Sequence, residues 1–151
     1  MRGVLQRVRR AEIRVDGEPV GVIGRGVVLL VGVERGDSVA DAEVLADKVV
    51  DLRIFPDDTG RPGRSVVDVG GAVAVVSQFT LAADVRRGRR PSFVRAAAPE
   101  LAAPLVDAVV DRIAARGVDV AAGVFGAMME VELVNDGPFT LVLDVVDGRL
   151  R

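Results

Sequence analysis

The sequence predicts an α/β domain, and three observations carry that expectation. Short runs of Val, Leu, Ile and Ala alternate with two longer stretches whose apolar residues recur at helical spacing. No linker, internal repeat or low-complexity tract divides the chain. Its 151 residues fit one domain covering residues 1–151. A chain of that size buries about two-thirds of its unfolded surface and needs no metal or disulfide to hold it.

Val4 to Val8 and Ala11 to Val15 read as short alternating strands, and Asp16-Gly17 is a hairpin signal ahead of Val20 to Ile23. Val27 to Val33 is an unbroken apolar run, the pattern of a central strand buried on both faces. Ser38 with Asp41 three residues on resembles a capping box, and Val39, Val44, Leu45, Val49 and Leu52 fall near helical spacing, so a first helix is expected from Val39 to Asp51. Arg53-Ile54-Phe55 reads as a short strand stopped by a turn over Pro56 to Gly60. Ala72 to Val76 is a second apolar strand. Pro99 to Ala115 carries Leu101, Leu105, Val109 and Ile113 at four-residue steps and is closed by Gly117, which predicts a second helix. Met128 to Val134 and Phe139 to Asp144 are the last two strands, with Asn135-Asp136-Gly137-Pro138 between them.

Composition excludes several chemistries. There is no Cys and no His, which removes thiol nucleophiles, thiolate and imidazole metal sites, and His general bases. What remains is hydroxyls, carboxylates, backbone N–H groups, Arg, the single Lys48, or a group the substrate brings. No apolar run reaches the roughly 18 residues of a membrane span. Met1-Arg2-Gly3-Val4 lacks the apolar stretch of a signal peptide, so the cytoplasm is the expected location.

Neutral polar side chains are scarce and unevenly placed. Ser, Thr, Asn and Gln total ten, and five of them, Ser77, Gln78, Thr80, Asn135 and Thr140, sit in two segments that follow apolar runs. Ser77-Gln78-Phe79-Thr80 leaves the carboxyl end of a predicted strand, where ligands bind in α/β sheets. Net charge is −2, so the whole molecule is not a generic polyanion binder, yet Arg86, Arg87, Arg89 and Arg90 are concentrated just after Thr80. Two readings stand for that cluster: a solvated loop, or planar donors for the phosphates of an RNA end. Gly137-Pro138 likewise supports two readings. It either breaks a hairpin ladder or, with a cis bond, turns two carbonyls to one side as a wall of acceptors.

Val75-Val76-Ser77-Gln78-Phe79-Thr80-Leu81-Ala82-Ala83-Asp84, Arg87-Gly88-Arg89-Arg90-Pro91-Ser92-Phe93 and Leu133 to Thr140 closely resemble the D-aminoacyl-tRNA deacylases. The similarity runs in order, without large insertions, from Gln6-Arg7-Val8 through Gly32-Val33-Glu34, Arg53-Ile54-Phe55 and Phe125-Gly126-Ala127. It implies a mixed, mostly antiparallel sheet with a barrel-like core and two main helices. The activity implied is hydrolysis of the ester between a D-amino acid, or glycine mischarged on tRNA(Ala), and the 3′ end of tRNA. No cofactor, metal, membrane or DNA partner is expected.

Further roles follow from the resemblance. Gly137-Pro138 would be cis and would reach across a homodimer interface into the partner subunit's site. There it would reject L side chains by collision while admitting D-residues and glycine. Ser77, Gln78, Phe79 and Thr80 would line the pocket for the terminal adenosine and ester. Asn135 and Thr140 flank the Gly-Pro pair and are further candidates for substrate contact. Phe125 and Met129 would lie by the adenine, or else simply pack the core. Arg7 would orient the Gly-Pro loop, or else be an exposed strand charge, and Arg86 to Arg90 would meet acceptor-stem phosphates.

An aminoacyl ester is already activated, so the protein needs to place the carbonyl, stabilise the oxyanion and admit water. Backbone N–H groups around Phe79 and Thr80 are the expected oxyanion donors. Thr80 Oγ is the side-chain nucleophile candidate, but an unassisted Thr hydroxyl is weak; the resemblance points instead to the ribose 2′-hydroxyl of the tRNA. Two departures from the family pattern are Pro62-Gly63-Arg64, where Met-Asn-Leu is frequent, and Phe139, where Val is common. Three alternatives predict different outcomes. An L-serine editing domain of the threonyl-tRNA synthetase type conflicts with Gly137-Pro138; a non-catalytic RNA 3′-end-binding dimer leaves D-aminoacyl-tRNA intact; a general Thr-dependent esterase loses activity in Thr80→Ala.

Overall fold

The computed structural model describes residues 1–151. Its main sheet runs in the order β7-β6-β3-β1-β8-β9, with β2 also paired to β1. The strands are β1 (Arg2–Val15), β2 (Glu18–Ile23), β3 (Gly26–Gly32), β6 (Ala72–Ser77), β7 (Asp119–Ala122), β8 (Glu130–Val146) and β9 (Arg149–Leu150). β1 pairs antiparallel with β2, β3 and β8, whereas β3-β6 and β6-β7 are parallel. Parallel neighbours need long crossovers. α1 (Val39–Asp51) lies within the first and α2 (Pro99–Ala115) within the second.

Two predicted strands are one. β1 is continuous from Arg2 to Val15, but its ladder with β8 shifts register between Gln6 and Val8 and again between Val8 and Arg10. An odd-sized bulge turns the following side chains to the other face. Leu5 therefore packs into the larger cluster with α1 and α2, while Ala11 and Ile13 point into a second cluster with Val8, Ile23, Val28, Ala74 and Val76. That second cluster is enclosed because the sheet curls. An ideal Cβ on Gly21 of β2 would come 3.2 Å from the Ala121 Cβ of β7, so the strand that branches from β1 and the β7 edge of the sheet nearly touch. The expected mixed sheet with a barrel-like core and two helices is what forms.

β3 is the buried inner strand its composition predicts: Val27, Leu29 and Val31 enter one cluster and Val28 the other. Ser38 donates both N–H (2.8 Å) and Oγ–H (2.7 Å) to Asp41 Oδ2, closing the first turn of α1. Asp41 Oδ1 accepts from the Gly148 N–H at 2.8 Å, which ties this turn to the β8-β9 hairpin. α2 starts with Pro99 and ends before Gly117, at φ 78°. Asp47 of α1 accepts from Arg112 of α2 and from Arg116, the residue that caps its C-terminus.

The structure departs from expectation at three further places. The strand expected at Arg53 to Phe55 is Phe55–Pro56 (β4), paired with Pro62–Arg64 (β5), and the turn between them is held by Asp57 Oδ1, which accepts from the Thr59 N–H (2.8 Å) and hydroxyl (2.6 Å). β7 is an edge strand whose Asp119-Val120-Ala121-Ala122 is too short and weakly patterned to stand out. β8 joins both C-terminal runs, because β1 supports it on either side of the Gly-Pro pair: Gln6 faces Thr140 and Val8 faces Asn135. Arg7 alone therefore spans residues 136–139, which leave the ladder as a wide bulge. The ladder is broken at Gly137-Pro138 only locally, inside a strand that continues beyond it.

Candidate functional site

β6 delivers Ser77 at its carboxyl end, and the chain then tightens into a 3-10 turn over Phe79–Ala82. Gly32, at the end of β3, lets that turn close. A Cβ there would lie 2.7 Å from Leu81 Cβ and 3.0 Å from Gln78 O. Gln78 N–H donates to Val31 O at 2.7 Å, which pins the turn to β3, while Leu81 and Ala83 N–H groups return to Gln78 O and Thr80 O. The N–H groups of Phe79 and Thr80 donate to nothing in the chain. Two adjacent backbone donors, on exposed residues, are thereby left unpaired at the start of a turn.

These residues form the mouth of a cavity of about 690 Å³. Val31 and Val76 line it from the sheet, Val33 from just beyond β3, Ala102 and Val106 from α2, and Phe125 and Met129 from the segment before β8. Of the sequence-predicted residues, Ser77, Gln78, Phe79, Thr80, Phe125 and Met129 are brought together here. Met129 also packs on the inner cluster, and its Sδ occupies the space a Gly123 side chain would take. Phe125 stays partly exposed, so it is no ordinary core residue. Phe79 is 57 % exposed and meets Phe93 edge-on at 5.0 Å between ring centroids.

Thr80 Oγ1 accepts a hydrogen bond from Gln78 Nε2 and has no carboxylate or amine partner. The arrangement supplies donors to an oxygen rather than a base to a hydroxyl. Val31, Val33, Ala102 and Val106, which shape the cavity, were invisible to sequence reading because their apolar runs look like any other core segment.

Gly137, Pro138, Asn135 and Thr140 do not line this cavity; they lie together on and beside the β8 bulge, exposed. The Gly137-Pro138 peptide is cis and Gly137 has φ 134°, a region open essentially to Gly. Arg7 is the support beneath it. At 8 % exposure it is one of two buried charged residues. Its Nε donates to Asp136 O at 2.9 Å, its Nη1 to Ile54 O, and its Cζ sits 5.0 Å from the Phe139 ring centroid. The Asp136 carboxylate lies between Arg7 (3.5 Å) and Arg9 (3.6 Å). The exposed-charge reading of Arg7 therefore does not apply. Asp136 and the Ile54 carbonyl were missed, since a backbone acceptor leaves no mark in a sequence.

The Arg-rich loop is pinched at its base, where Asp84 and Ser92 exchange backbone hydrogen bonds of 2.8 and 2.9 Å. Arg86 is engaged by Asp84 through Nε at 2.9 Å and Nη2 at 2.6 Å, and this contact holds the Asp84 carboxyl well below the usual carboxylate range. Arg87, Arg89 and Arg90 are exposed and make no ion pair. No helix is long and apolar enough to cross a membrane.

The family model described as D-Tyr-tRNA(Tyr) deacylase matches residues 4–144. The chain is 58 % identical over 150 residues to the D-aminoacyl-tRNA deacylase of Chloroflexus aurantiacus, covering 99 % of this chain and 94 % of that protein. It is 58 % identical over 144 residues to that of Roseiflexus castenholzii, covering 95 % and 92 %. Among solved structures, the c-Myc DNA Unwinding Element Binding Protein superposes with a TM-score of 0.90 at 35 % identity, covering 97 % of this chain and 99 % of that one. A probable eukaryotic D-amino acid tRNA deacylase superposes with a TM-score of 0.82 at 21 % identity, covering 95 % and 98 %, a likeness of fold.

Proposed function

The chain belongs to the D-Tyr-tRNA(Tyr) deacylase family, and from that premise we propose a specific way in which it frees tRNA from D-amino acids. It is an ester hydrolase, a D-aminoacyl-tRNA deacylase. The observation that carries the mechanism is the pair of unpartnered N–H groups at Phe79 and Thr80, set at the mouth of the 690 Å³ cavity in a chain without His or Cys.

An aminoacyl ester needs little activation, so two fixed donors near the carbonyl oxygen supply the main requirement. One such donor is typically worth about 10²- to 10³-fold in rate. Ser77 and Gln78 place the ester, Phe125 and Met129 take the terminal adenine, and Thr80 positions substrate while its hydroxyl is occupied with Gln78. The proton is managed by the ribose 2′-hydroxyl next to the ester, which activates the attacking water. Water adds to the carbonyl, the oxyanion collapses, and the 3′-oxygen leaves protonated with the tRNA.

Gly137 and Pro138 act as the chirality gate in the partner subunit of a homodimer. Their position outside this chain's own cavity, on a bulge anchored from below by Arg7, supports that assignment. A wall of carbonyls rejects an L side chain and leaves a D side chain or the single hydrogen of glycine untouched, so glycine mischarged on tRNA(Ala) is accepted too. Asn135 and Thr140 flank this gate. Arg87, Arg89 and Arg90 meet acceptor-stem phosphates, with Arg86 tied to Asp84 as the fixed base of the loop.

The test is hydrolysis of matched D- and L-aminoacyl-tRNAs by the purified protein. Rapid release of the D-amino acid with the L-ester left at its spontaneous rate is expected, whereas equal rates would overturn the gate and intact D-aminoacyl-tRNA would overturn the activity.

A further inference from the structure

Resting on the gate reading above, we propose that Phe139 is a positioning residue for chirality selection, acting through Arg7. The guanidinium of Arg7 spends its donors on two backbone acceptors, Asp136 O and Ile54 O. Each can be kept by only one orientation of the guanidinium plane. A long side chain with many rotamers leaves such an orientation unless something blocks it. The blocking group is the Phe139 ring, whose centroid lies 5.0 Å from Arg7 Cζ.

Phe139 is suited to that task by where it is anchored. Its ring packs against the main core cluster, while its backbone belongs to the bulge. An ideal Cβ on Gly137 would lie 3.0 Å from Phe139 N and 3.2 Å from Arg7 Nη2, so Gly137, Arg7 and Phe139 form one close-packed unit. The ring passes the rigidity of the core to the guanidinium, and the guanidinium passes it to the Asp136 carbonyl just before the gate. Its cationic partner also favours an aromatic face over an aliphatic side chain of similar volume. A flexible gate rejects an L-residue less completely, but it does not obstruct a D-residue, whose side chain points elsewhere. The effect is therefore on the ratio of the two rates.

The experiment compares wild type, Phe139→Leu and Phe139→Tyr. Two measurements are made: the water-exchange rate of the Arg7 Nε–H by ¹⁵N NMR, and the D-to-L ratio of kcat/KM on matched aminoacyl-tRNAs. Phe139→Leu is expected to speed exchange and to lower the ratio by about three- to thirtyfold, the span of a partly desolvated cation–π contact. Phe139→Tyr, which keeps the ring, restores both. A general loss of folded enzyme scales both substrates alike and leaves the ratio unmoved.

Unchanged exchange in Phe139→Leu, faster exchange with an unchanged ratio, or a Tyr variant as impaired as the Leu variant would each overturn the proposal. A wild type that hydrolyses both chiralities equally removes the gate itself and the selective role with it. The exchange measurement then reports separately whether Phe139 holds Arg7.

Discussion

Arg7→Ala removes the support of the bulge, and its cost can be worked from the contacts. The guanidinium donates to Asp136 O at 2.9 Å and to Ile54 O in a buried setting. A hydrogen bond from a charged donor contributes about 1.5–3 kcal/mol, and a buried carbonyl left without its donor costs about 1–3 kcal/mol. The Asp136 carboxylate at 3.5 Å adds little, because Arg9 stands 3.6 Å from its other oxygen and such partly exposed pairs are worth about 0–1 kcal/mol. Water replaces Arg7 at Asp136 more readily than at Ile54, so the sum is about 3 kcal/mol, within a range of roughly 2–5 kcal/mol. For a chain of this size that lowers Tm by roughly 6–12 °C. Urea unfolding of Arg7→Ala beside Arg9→Ala, whose side chain is mostly exposed, is the assay. Arg9→Ala should lose less than about 0.5 kcal/mol. Equal losses in the two variants, or a loss below about 1 kcal/mol in Arg7→Ala, would refute the reasoning.

Asp41 offers a pH test. Burial raises its carboxyl, but hydrogen bonds from the Gly148 N–H and from the Ser38 hydroxyl and N–H outweigh it and hold the group below its ordinary value of 3.8. A depressed folded value means that its stabilisation is complete above the unfolded value and disappears as pH falls through the folded one. Wild type should therefore lose stability as pH falls below 3.8, a loss that Asp41→Asn has already taken at neutral pH; parallel acid-unfolding curves for the two proteins would contradict this. Gly32→Ala places a Cβ 2.7 Å from Leu81 Cβ and must push the Phe79–Ala82 turn outward. It should cost about 1–3 kcal/mol in stability and at least about tenfold in kcat, and a variant of full activity would show that the turn does not place the reacting ester. Thr80→Ala should keep activity within about tenfold of wild type, because its hydroxyl is a weak nucleophile with no base beside it. A loss of about 10⁴-fold or more in single-turnover rate would reinstate a covalent route.

Legibility of the fold followed how local its causes are. Ser38 and Asp41 announce α1, Pro99 and Gly117 bracket α2, and Asp16-Gly17 closes the first hairpin with both residues at positive φ. The equivalent Asp147-Gly148 turn carries the same signal and was overlooked. What failed was continuity. The Arg9-Arg10 pair interrupts the alternation of β1, and Gly137-Pro138 interrupts β8, yet each strand runs on because the other supports it on both sides of the break. No local pattern reports such a long-range support.

At the site, residue chemistry picked out Ser77 to Thr80, and the structure adds that backbone amides there are unpartnered. It also separates the two polar segments: Ser77 to Thr80 line the cavity, while Asn135 to Thr140 stay outside it on the same chain. Arg86 looked equivalent to its neighbours until Asp84 was seen to occupy it.

The pairing of β1 with β8 also sets an order of events in synthesis. Arg7 and Asp136 are 129 residues apart in the chain. At about 5–20 residues per second, the N-terminal strand waits roughly 6–26 s on the ribosome before its partner is made. During that interval one edge of β1 is open and its hydrogen-bonding groups must be shielded by other means. Ribosome-bound chains halted before residue 130 should accordingly bind chaperones, and chains released past Val146 should not; equal chaperone occupancy at both lengths would contradict this order. The strand that closes the sheet is the strand that carries Gly137 and Pro138. On the gate reading proposed above, completion of the fold and arrival of the selective element are thus one step.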